Sequence, residues 1–390
     1  MTQHFRDPAR VLVVDDSPTV RAFLQSVIDA EPDMIVVSTA ESAEEAVELC
    51  CKLKPNLVTM DVSLPGSDGI EATAEIMRRC PVPVAIVTAT PVGPDTDATF
   101  RALAAGAVEV FAKPSRQDFI DHPERQTDFV RQLRLVAGVG VVGLRGSRAI
   151  VRALPASPGR SSSVPAPSSS APPARISAPE LASKAALIAI GASTGGPPTI
   201  LTALRALAPE QAPPVLVTQH MSAEFMPGFA AWLDSSIALK VQIAKAGQPL
   251  ERGHVYVAPG DRHLRITQQL RIEIGVEAPL HYQRPAVDEL FNSVARHVGG
   301  ASVGVLLTGM GSDGAQGLAA LRRAGALTIA QDEGSCVVFG MPKAALDLGA
   351  ASLTATPETI GRLLACISFR TRSACPPALT PTEPSTRTAS

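Results

Sequence analysis

Residues 11–21 read VLVVDDSPTVR, and this stretch determines the class of the N-terminal region. The apolar run Val11–Val14 predicts a buried strand, and the serine and proline after the acidic pair favour a helix start. The same strand-then-helix pattern recurs four more times, which predicts a doubly wound parallel sheet of five strands, a flavodoxin-like arrangement. Asp15 and Asp16 end the first strand, at the edge where such sheets bind ligands.

The other strands of this region are short β-rich runs, and amphipathic stretches lie between them. The predicted strands are Ile35–Thr39, Leu57–Met60, Val84–Thr88 and Val108–Phe111. The predicted helices are Val20–Ile28, Ala43–Leu53, Ile70–Met77, Ala98–Ala105 and Phe119–Leu135.

A second region repeats the alternation, which predicts a second α/β domain. Its predicted strands are Ala186–Ile190, Val215–Thr218, His254–Val257, Val303–Leu307 and Leu327–Ala330. Its predicted helices are Thr199–Leu207, Glu224–Leu233, Val287–Val298 and Ala315–Ala324. The runs Leu264–Thr267 and Leu270–Ile274 predict an antiparallel hairpin, so we expect a mostly parallel, mixed sheet.

Composition separates the two regions. Residues 161–174, SSSVPAPSSSAPPA, are too poor in apolar side chains to form a core, and a similar Pro/Ser/Thr-rich stretch ends the chain. We therefore predict a first domain over 9–138, a linker over 139–183, a second domain over 184–370 and a disordered tail over 371–390.

Charge and hydropathy exclude some classes of protein. The formal net charge is -2, with both signs mixed, so the chain has no basic footprint for nucleic acid. No apolar stretch approaches the roughly 20 residues that span a bilayer, and no secretory leader is evident. The six cysteines lack metal-ligand spacing. We therefore expect a soluble cytoplasmic protein with free thiols.

Five polar groups lie at four strand ends of the first region: Asp15, Asp16, Asp61, Thr88 and Lys113. Three crowded carboxylates repel one another unless a cation neutralises them, and oxygen ligands favour Mg²⁺. A carboxylate beside Mg²⁺ can attack a phosphoryl group, whose oxygens the hydroxyl and the ammonium could hold. Each acidic residue alone could equally cap a helix, but the group together favours a phosphoryl-transfer site.

Residues 186–198, ALIAIGASTGGPP, lead from an apolar strand through glycines into a helix start. Ser193 lies in the turn, which fits the G-x-S-x-G pattern of a nucleophile elbow. Taken alone, an anion-binding turn or a helix cap explains this serine somewhat better.

A nucleophilic serine needs a base and a group that orients the base. His220 and Asp313 follow predicted strands and would meet Ser193 at one sheet edge. Spacing leaves rivals open for both roles: His254, His263, His281 and His297 for the base, and Asp261, Asp288 and Asp332 for the acid.

The first region resembles the response-regulator receiver family, through VLVVDDSPTVR, TMDVSLPGSDGIE, AIVTAT and GAVEVFAKPS. This resemblance implies that Asp61 is phosphorylated, and that Asp15, Asp16, Asp61 and the Ser63 carbonyl bind Mg²⁺. It also implies that Thr88 and Phe111 respond to phosphorylation, that Lys113 contacts the phosphoryl group, and that the Lys113–Pro114 bond is cis.

The second region resembles the chemotaxis protein-glutamate methylesterases (CheB). The motifs IGASTGGP, TQHM, FMPGFA, VYVAPGDRHL, RPAVDELFNSVA, VLLTGMGSDGAQGL and AQDEGSCVVFGMPKAA occur in order. Carried over by position, Ser193 is the nucleophile, His220 the base and Asp313 its orienting residue. Thr194 and the Met310 backbone would line the oxyanion site.

The two resemblances together imply a phosphorylation-regulated esterase. It would demethylate glutamyl methyl esters on methyl-accepting chemotaxis receptors, deamidate receptor glutamines, and take its phosphoryl group from a histidine kinase. Mg²⁺ would serve the receiver, and the esterase would need no cofactor. The protein would act at membrane receptor arrays without inserting into the bilayer. Three alternatives remain. A DNA-binding output is disfavoured because the chain lacks a basic helix-turn-helix segment, and an inactive receptor-binding scaffold is disfavoured because the triad residues are intact. The third is that the enzyme serves a receptor array other than the flagellar one.

Overall fold

A computed structural model describes residues 7–65, 68–89, 95–139 and 185–368. The linker predicted over 139–183 lies outside these residues except for Val139, and the tail predicted over 371–390 lies outside them entirely. Among the helices that the structure describes, none is both long and apolar enough to cross a membrane.

The N-terminal domain is a five-stranded parallel sheet with helices on both faces, as predicted. The strand order is β2-β1-β3-β4-β5. The strands are β1 (Ala9–Val14), β2 (Met34–Ala40), β3 (Leu57–Met60), β4 (Val84–Thr88) and β5 (Glu109–Ala112). The helices are α1 (Pro18–Asp29), α2 (Ala43–Leu53), α3 (Gly69–Arg79), α4 (Asp95–Ala104), α5 (Arg116–Asp121) and α6 (Pro123–Ala137).

Local sequence explains where these helices begin and end. Side-chain oxygens of Ser17, Ser42 and Asp68 accept backbone N–H groups of the first turns of α1, α2 and α3, so each helix starts at a capping residue. The single helix predicted over Phe119–Leu135 is two helices, because Pro123 lacks the N–H that would continue α5.

The C-terminal domain has a seven-stranded sheet of order β14-β13-β12-β6-β7-β9-β8, in which every pairing is parallel. Its strands are β6 (Leu187–Ala192), β7 (Val215–Gln219), β8 (Lys240–Ile243), β9 (His254–Val257), β12 (Ser302–Leu306), β13 (Leu327–Gln331) and β14 (Leu353–Ala355). Its helices are α7 (Gly196–Leu204), α8 (Met226–Ser236), α9 (Val287–His297), α10 (Ala315–Arg323), α11 (Met341–Asp347) and α12 (Pro357–Ser368).

The predicted hairpin is present as a separate sheet. Strands β10 (His263–Ile266) and β11 (Ile272–Gly275) pair antiparallel with each other and do not join the seven-stranded sheet. Their apolar side chains pack against the core on the α9 side. The predicted fold class, an α/β domain with a mostly parallel sheet and an antiparallel hairpin, is therefore confirmed; the hairpin forms a sheet of its own and does not make the main sheet mixed.

The two domains contact each other through α4 of the first and the helices α7 and α8 of the second. Phe100 on α4 is fully buried, with its ring centroid 5.6 Å from that of Trp232 and 5.9 Å from that of Phe229, both on α8. Offset aromatic contacts of this kind bury large apolar surfaces. The N-terminal domain is thus packed on the side of the second domain where α7 begins.

The expectation of free cysteines is wrong for one pair. Cys51 near the end of α2 and Cys80 after α3 form a disulfide with their Cα atoms 5.2 Å apart. The two helices pack side by side, which brings together residues 29 positions apart. Spacing along the chain could not reveal this contact, since it depends on how the helices lie on the sheet. Cys50 and Cys336 are buried free thiols.

Candidate active site and phosphorylation site

Ser193 directly follows β6, at the entrance to α7. Gly195 adopts φ 74°, a left-handed conformation that glycine adopts without strain, and it caps the helix. A Cβ on Gly196 would lie 2.0 Å from the buried Gln219 Oε1, so only glycine fits there. These constraints explain the paired glycines in the turn after the serine, at the carboxyl end of β6.

His220 follows β7, the neighbour of β6. Ala192 and Gln219 are Cα partners in the parallel register, so Ser193 and His220 are the next residues on adjacent strands. The fully buried Gln219 donates from Nε2 to the backbone oxygens of both Ser193 and His220, each at 2.9 Å. One buried amide therefore ties the serine turn to the histidine turn.

Asp313 reaches the same edge from the loop after β12, the strand on the other side of β6. His220 Nε2 lies 2.8 Å from Asp313 Oδ2. The two Asp313 oxygens also accept the backbone N–H groups of Val287 and Asp288, at 2.7 and 2.9 Å, in the first turn of α9. A helix N-terminus favours negative charge, so the loop holds Asp313 where its carboxylate is stabilised.

The charge of Asp313 follows from these contacts. Burial by itself would raise the pKa of Asp313, but the hydrogen bond and charge of His220 and the N–H groups of α9 outweigh it and leave the pKa lowered. Asp313 is therefore a buried carboxylate that stays ionised, which is what orienting an imidazole requires.

The predicted oxyanion residues are Thr194, which follows the serine, and Met310, which follows Gly309; a Cβ on Gly309 would lie 2.6 Å from that of Ser193. Thr194 is the next residue, and its backbone oxygen accepts from Thr308 Oγ1 at 3.0 Å. Met310 is half-buried in the loop after β12, where the neighbouring Gly309 N–H donates to Val338 O. Within the residues described, the Met310 N–H has no acceptor, which suits a donor that faces substrate.

Two of the rival residues, His281 and Asp288, pair with each other beside Asp313, and others have different partners. His263 is buried and contacts the backbone at Ala278 and Ala286, and His254 stacks on Tyr256. Asp332 accepts from Ser335 Oγ. The three-dimensional arrangement thus favours His220 and Asp313, whereas sequence spacing had left the choice open.

The acidic residues of the N-terminal domain converge as predicted. Asp15 and Asp16 follow β1, Asp61 follows the adjacent β3, and their carboxylate oxygens lie within 4.8 Å of one another. Lys113 Nζ lies 2.8 Å from Asp15 Oδ2 and 2.6 Å from Asp61 Oδ2. Burial raises the pKa of Asp61, and Lys113 acts in the opposite direction.

This cluster fits Mg²⁺. Mg²⁺ prefers oxygen ligands, and the carboxylates of this cluster offer only oxygen atoms. In addition, Asp61 Oδ1 is buried with no hydrogen-bond partner in the described part of the chain. Ser63, whose carbonyl was predicted to complete the set, lies two residues beyond Asp61 in the exposed loop.

Two predictions for this domain fare differently in the structure. Thr88 ends β4 and is buried beside the cluster's strands, but Phe111 packs on Phe129 at 5.5 Å, within the core cluster that includes α6. Phe111 lies on the strand next to Thr88, opposite Val87, and the response of both residues to phosphorylation stays a prediction. The Lys113–Pro114 bond is trans, so the cis prediction is wrong; the cis bond among the described residues is Arg284–Pro285. Lys113 reaches both carboxylates without it.

Glu109 is a site residue that sequence reasoning missed. It lies on β5, and the Thr194 hydroxyl of the other domain donates a hydrogen bond to its carboxyl group. Burial raises the pKa of Glu109 to about 7, against the hydrogen bonds from Thr194 and from the Val110 N–H. An acidic residue inside a short apolar strand, AVEVFA, was the available signal.

The fold and the two sites define a class: a phosphorylatable receiver joined to an α/β domain with a Ser-His-Asp arrangement. The family model described as CheB methylesterase matches residues 188–364, and the one described as response regulator receiver domain matches residues 11–122. This chain belongs to the CheB methylesterase family, a family of hydrolases.

Two curated relatives align with most of this chain and with nearly all of their own length. Protein-glutamate methylesterase/protein-glutamine glutaminase 4 of Geobacter metallireducens is 41% identical over 361 residues, which cover 92% of this chain and 99% of the relative. The corresponding protein 1 of Caulobacter vibrioides is 41% identical, over 90% of this chain and 96% of the relative. The crystal structure of the Thermotoga maritima CheB methylesterase catalytic domain aligns with TM-score 0.46 and 34% identity, over 46% of this chain and 97% of that one.

Proposed function

We propose that this protein hydrolyses γ-glutamyl methyl esters of methyl-accepting chemotaxis receptors, and that phosphorylation of Asp61 controls the reaction. The observation that carries the proposal is that Ser193, His220 and Asp313 follow the adjacent strands β6, β7 and β12 at their carboxyl ends, with a 2.8 Å contact between the last two. The substrate is taken from the relatives, which are named protein-glutamate methylesterases and protein-glutamine glutaminases.

The chemistry follows the roles of the three residues. Because His220 Nε2 is hydrogen-bonded to Asp313, the other ring nitrogen, Nδ1, would take the proton of Ser193 Oγ as that oxygen attacks the ester carbonyl carbon. The oxyanion that forms would be held by N–H groups near Thr194 and Met310. The C–O bond breaks, methanol leaves with the proton from His220, and water attacks the acyl-enzyme to give glutamate and free Ser193. A glutamine side chain would follow the same path and release ammonia.

Regulation would begin at the carboxylate cluster. Asp15, Asp16, Asp61 and the Ser63 carbonyl would hold Mg²⁺, which neutralises the oxygens of the incoming phosphoryl group. Asp61 would accept that group from a histidine kinase. Lys113, already 2.6 Å from Asp61 Oδ2, would then pair with the new phosphoryl oxygens.

The contact between the domains would suppress the unphosphorylated enzyme. Glu109 reaches Thr194 beside the nucleophile, and Val337, which packs against Gly195, belongs to the same buried cluster as the receiver core. Phe100 adds the aromatic contact on α8. We infer that these groups would hinder the approach of a receptor segment to Ser193, so that phosphorylation would have to weaken the contact.

The site of action would be cytoplasmic. The substrate receptors are membrane proteins, so the enzyme would work at their arrays without inserting into the bilayer. We assign the esterase no cofactor of its own and the protein no nucleic-acid partner.

Methanol release from methyl-labelled receptor tests the proposal. We expect release from the full-length protein, accelerated by a small phosphodonor with Mg²⁺. A protein that binds receptor but releases no methanol in either condition would show the proposed function to be wrong.

Replacing Glu109 with glutamine tests the interdomain contact. When the domains are in contact (the closed form), the raised pKa means that Glu109 binds its proton more tightly. When they separate (the open form), the pKa of Glu109 would return toward its ordinary value of 4.5. Closure is therefore most favoured below that value and loses this support as the pH rises towards about 7. A neutral glutamine should keep the domains closed, lowering basal methanol release at pH 8 by roughly tenfold.

The matched control for this change is Glu48→Gln, on the exposed side of α2. Basal rates of both variants and of wild type would be followed from pH 5 to 8 without phosphodonor. Higher basal activity of Glu109→Gln at neutral pH would mean that the charged carboxylate closes the domains, contrary to this interpretation.

A further inference from the structure

A second histidine–aspartate pair lies directly beside the first. His281 Nε2 is 3.3 Å from Asp288 Oδ2, and the Asp288 side chain is almost fully buried while that of His281 is half-exposed. One imidazole nitrogen of His281 and one carboxylate oxygen each of Asp288 and Asp313 lie within 4.8 Å of one another. The reaction described above uses only Asp313 of these three.

Asp288 lies at the start of α9 and is hydrogen-bonded both to Asp313 and to the start of α10. Its backbone N–H donates to Asp313 Oδ1 at 2.9 Å, and its side-chain Oδ1 accepts the Gly317 N–H at 2.6 Å in the first turn of α10. Asp288 therefore connects the N-termini of α9 and α10 around the loop that carries Asp313. A displacement of its carboxylate would be transmitted to the residue that orients His220.

Two buried carboxylates this close need a compensating charge. Burial raises the pKa of Asp288, the nearby Asp313 raises it further, and the Gly317 N–H and His281 act in the opposite direction. His281 Nε2, 3.3 Å from Asp288 Oδ2, lies against the Asp288 carboxylate as His220 Nε2, 2.8 Å from Asp313 Oδ2, lies against that of Asp313.

The turn that carries His281 holds it against Asp288. His281 and Tyr282 have φ of 53° and 63°, conformations that are uncommon for residues other than glycine. Leu280 and Gln283 close the turn through hydrogen bonds in both directions, at 3.1 and 2.9 Å. Such a backbone persists only where its surroundings maintain it.

The same three residues do not make a good metal site. Asp313 Oδ2 already accepts from His220 and from the Val287 N–H, and Asp288 Oδ1 accepts from Gly317. A cation would have to displace these bonds, including the one that orients the base.

We propose that Asp288 and His281 are positioning residues of the hydrolase, which set the orientation and the local charge of Asp313 and thereby the protonation of His220. This inference rests on the proposed function, because it assigns a role in the Ser193 reaction. The other ionisable groups on the surrounding segments are His263 and Arg265 on β10, Glu277 and Arg284 before α9, and Glu289 on α9. Arg265 pairs with both of these glutamates, so their charges are compensated locally.

The test uses the phosphodonor-activated full-length protein and an electrophilic phosphonate that labels activated serines. The rate of Ser193 labelling is measured from pH 5 to 9 for wild type, Asp288→Asn, His281→Gln and the double variant. Asparagine retains the N–H to Asp313 and an oxygen for Gly317, so it removes mainly the charge. His254→Gln is the control. His254 also faces a carboxylate, that of Glu251 at 3.8 Å, but it lies on β9 and not in the turn that carries His281.

Losing the negative charge of Asp288 should make protonated His220 less favourable and move the rise in rate to lower pH by roughly half a unit to one unit. Glutamine at position 281 cannot carry a positive charge, so His281→Gln should move the rise in rate to higher pH by a similar amount, and the double variant should return close to wild type. The His254 control should not move it.

A lower plateau rate with an unchanged midpoint in both variants would show a purely structural role and overturn the proposal. If Asp288→Asn does not fold, as circular dichroism would reveal, His281→Gln alone decides, because that side chain is half-exposed. Absence of labelling in wild type would instead overturn the proposed function, which keeps the two failures distinct.

Discussion

Replacing Ser193 with alanine should lower methanol release from methylated receptor by at least about 10³-fold, with or without phosphodonor. The hydroxyl is the only group at the β6 turn that we assign to bond with the substrate carbonyl, and without it His220 has no serine proton to accept. Receptor binding should be retained, because the alanine changes no backbone contact of the turn.

The matched control is Ser26→Ala, a change at an exposed serine on α1 whose hydroxyl bonds only to Phe23 O. Methanol would be measured from labelled receptor under both conditions. Normal hydrolysis by Ser193→Ala would show that another group is the nucleophile, and the assignments of His220 and Asp313 would fail with it.

Replacing Asp61 with asparagine should abolish activation by a small phosphodonor while leaving the basal rate within about twofold of wild type. The amide cannot accept the phosphoryl group, and the site loses one of three carboxylates for Mg²⁺. Its counterion Lys113 would still bond to Asp15, at 2.8 Å, so the local fold should persist.

Asp128→Asn is the control for this variant, since that carboxylate pairs with Arg131 on the exposed side of α6. The ratio of rates with and without phosphodonor is the measurement. A wild-type ratio for Asp61→Asn would place the phosphoryl acceptor elsewhere.

The core of both sheets could be predicted because their strands are continuous apolar runs that end in polar residues. Two strands escaped prediction for the same physical reason. Strand β8 reads KVQI, half polar, and β14 has three residues; both are edge strands, where burial on each face is incomplete. The helices Met341–Asp347 and Pro357–Ser368 were not predicted either.

The triad could be narrowed but not chosen from sequence. The register that sets Ala192 opposite Gln219 favours His220 over its rivals, and the 2.8 Å contact with His220 favours Asp313 over Asp288. Strand order and register are non-local properties. Side-chain direction, in contrast, alternates along a strand, and the Phe111 side chain points to the α6 face.

Contacts between distant segments were invisible to pattern reasoning. Neither the Cys51–Cys80 bond nor the approach of Glu109 to Thr194 leaves a periodic signal in the sequence. Both arise from how preformed units pack, which depends on the shapes of surfaces rather than on local propensity.

The aromatic contact between the domains gives the protein a built-in optical reporter. The chain has one tryptophan, Trp232, and its indole is buried 5.6 Å from Phe100. Separation of the domains would expose that indole to water, so its fluorescence emission should shift to longer wavelength when phosphodonor and Mg²⁺ are added, and Asp61→Asn should show no shift. An unchanged spectrum in an activated wild-type sample would mean that activation leaves the domains in contact. Opening could thus be timed in unlabelled protein, independently of turnover.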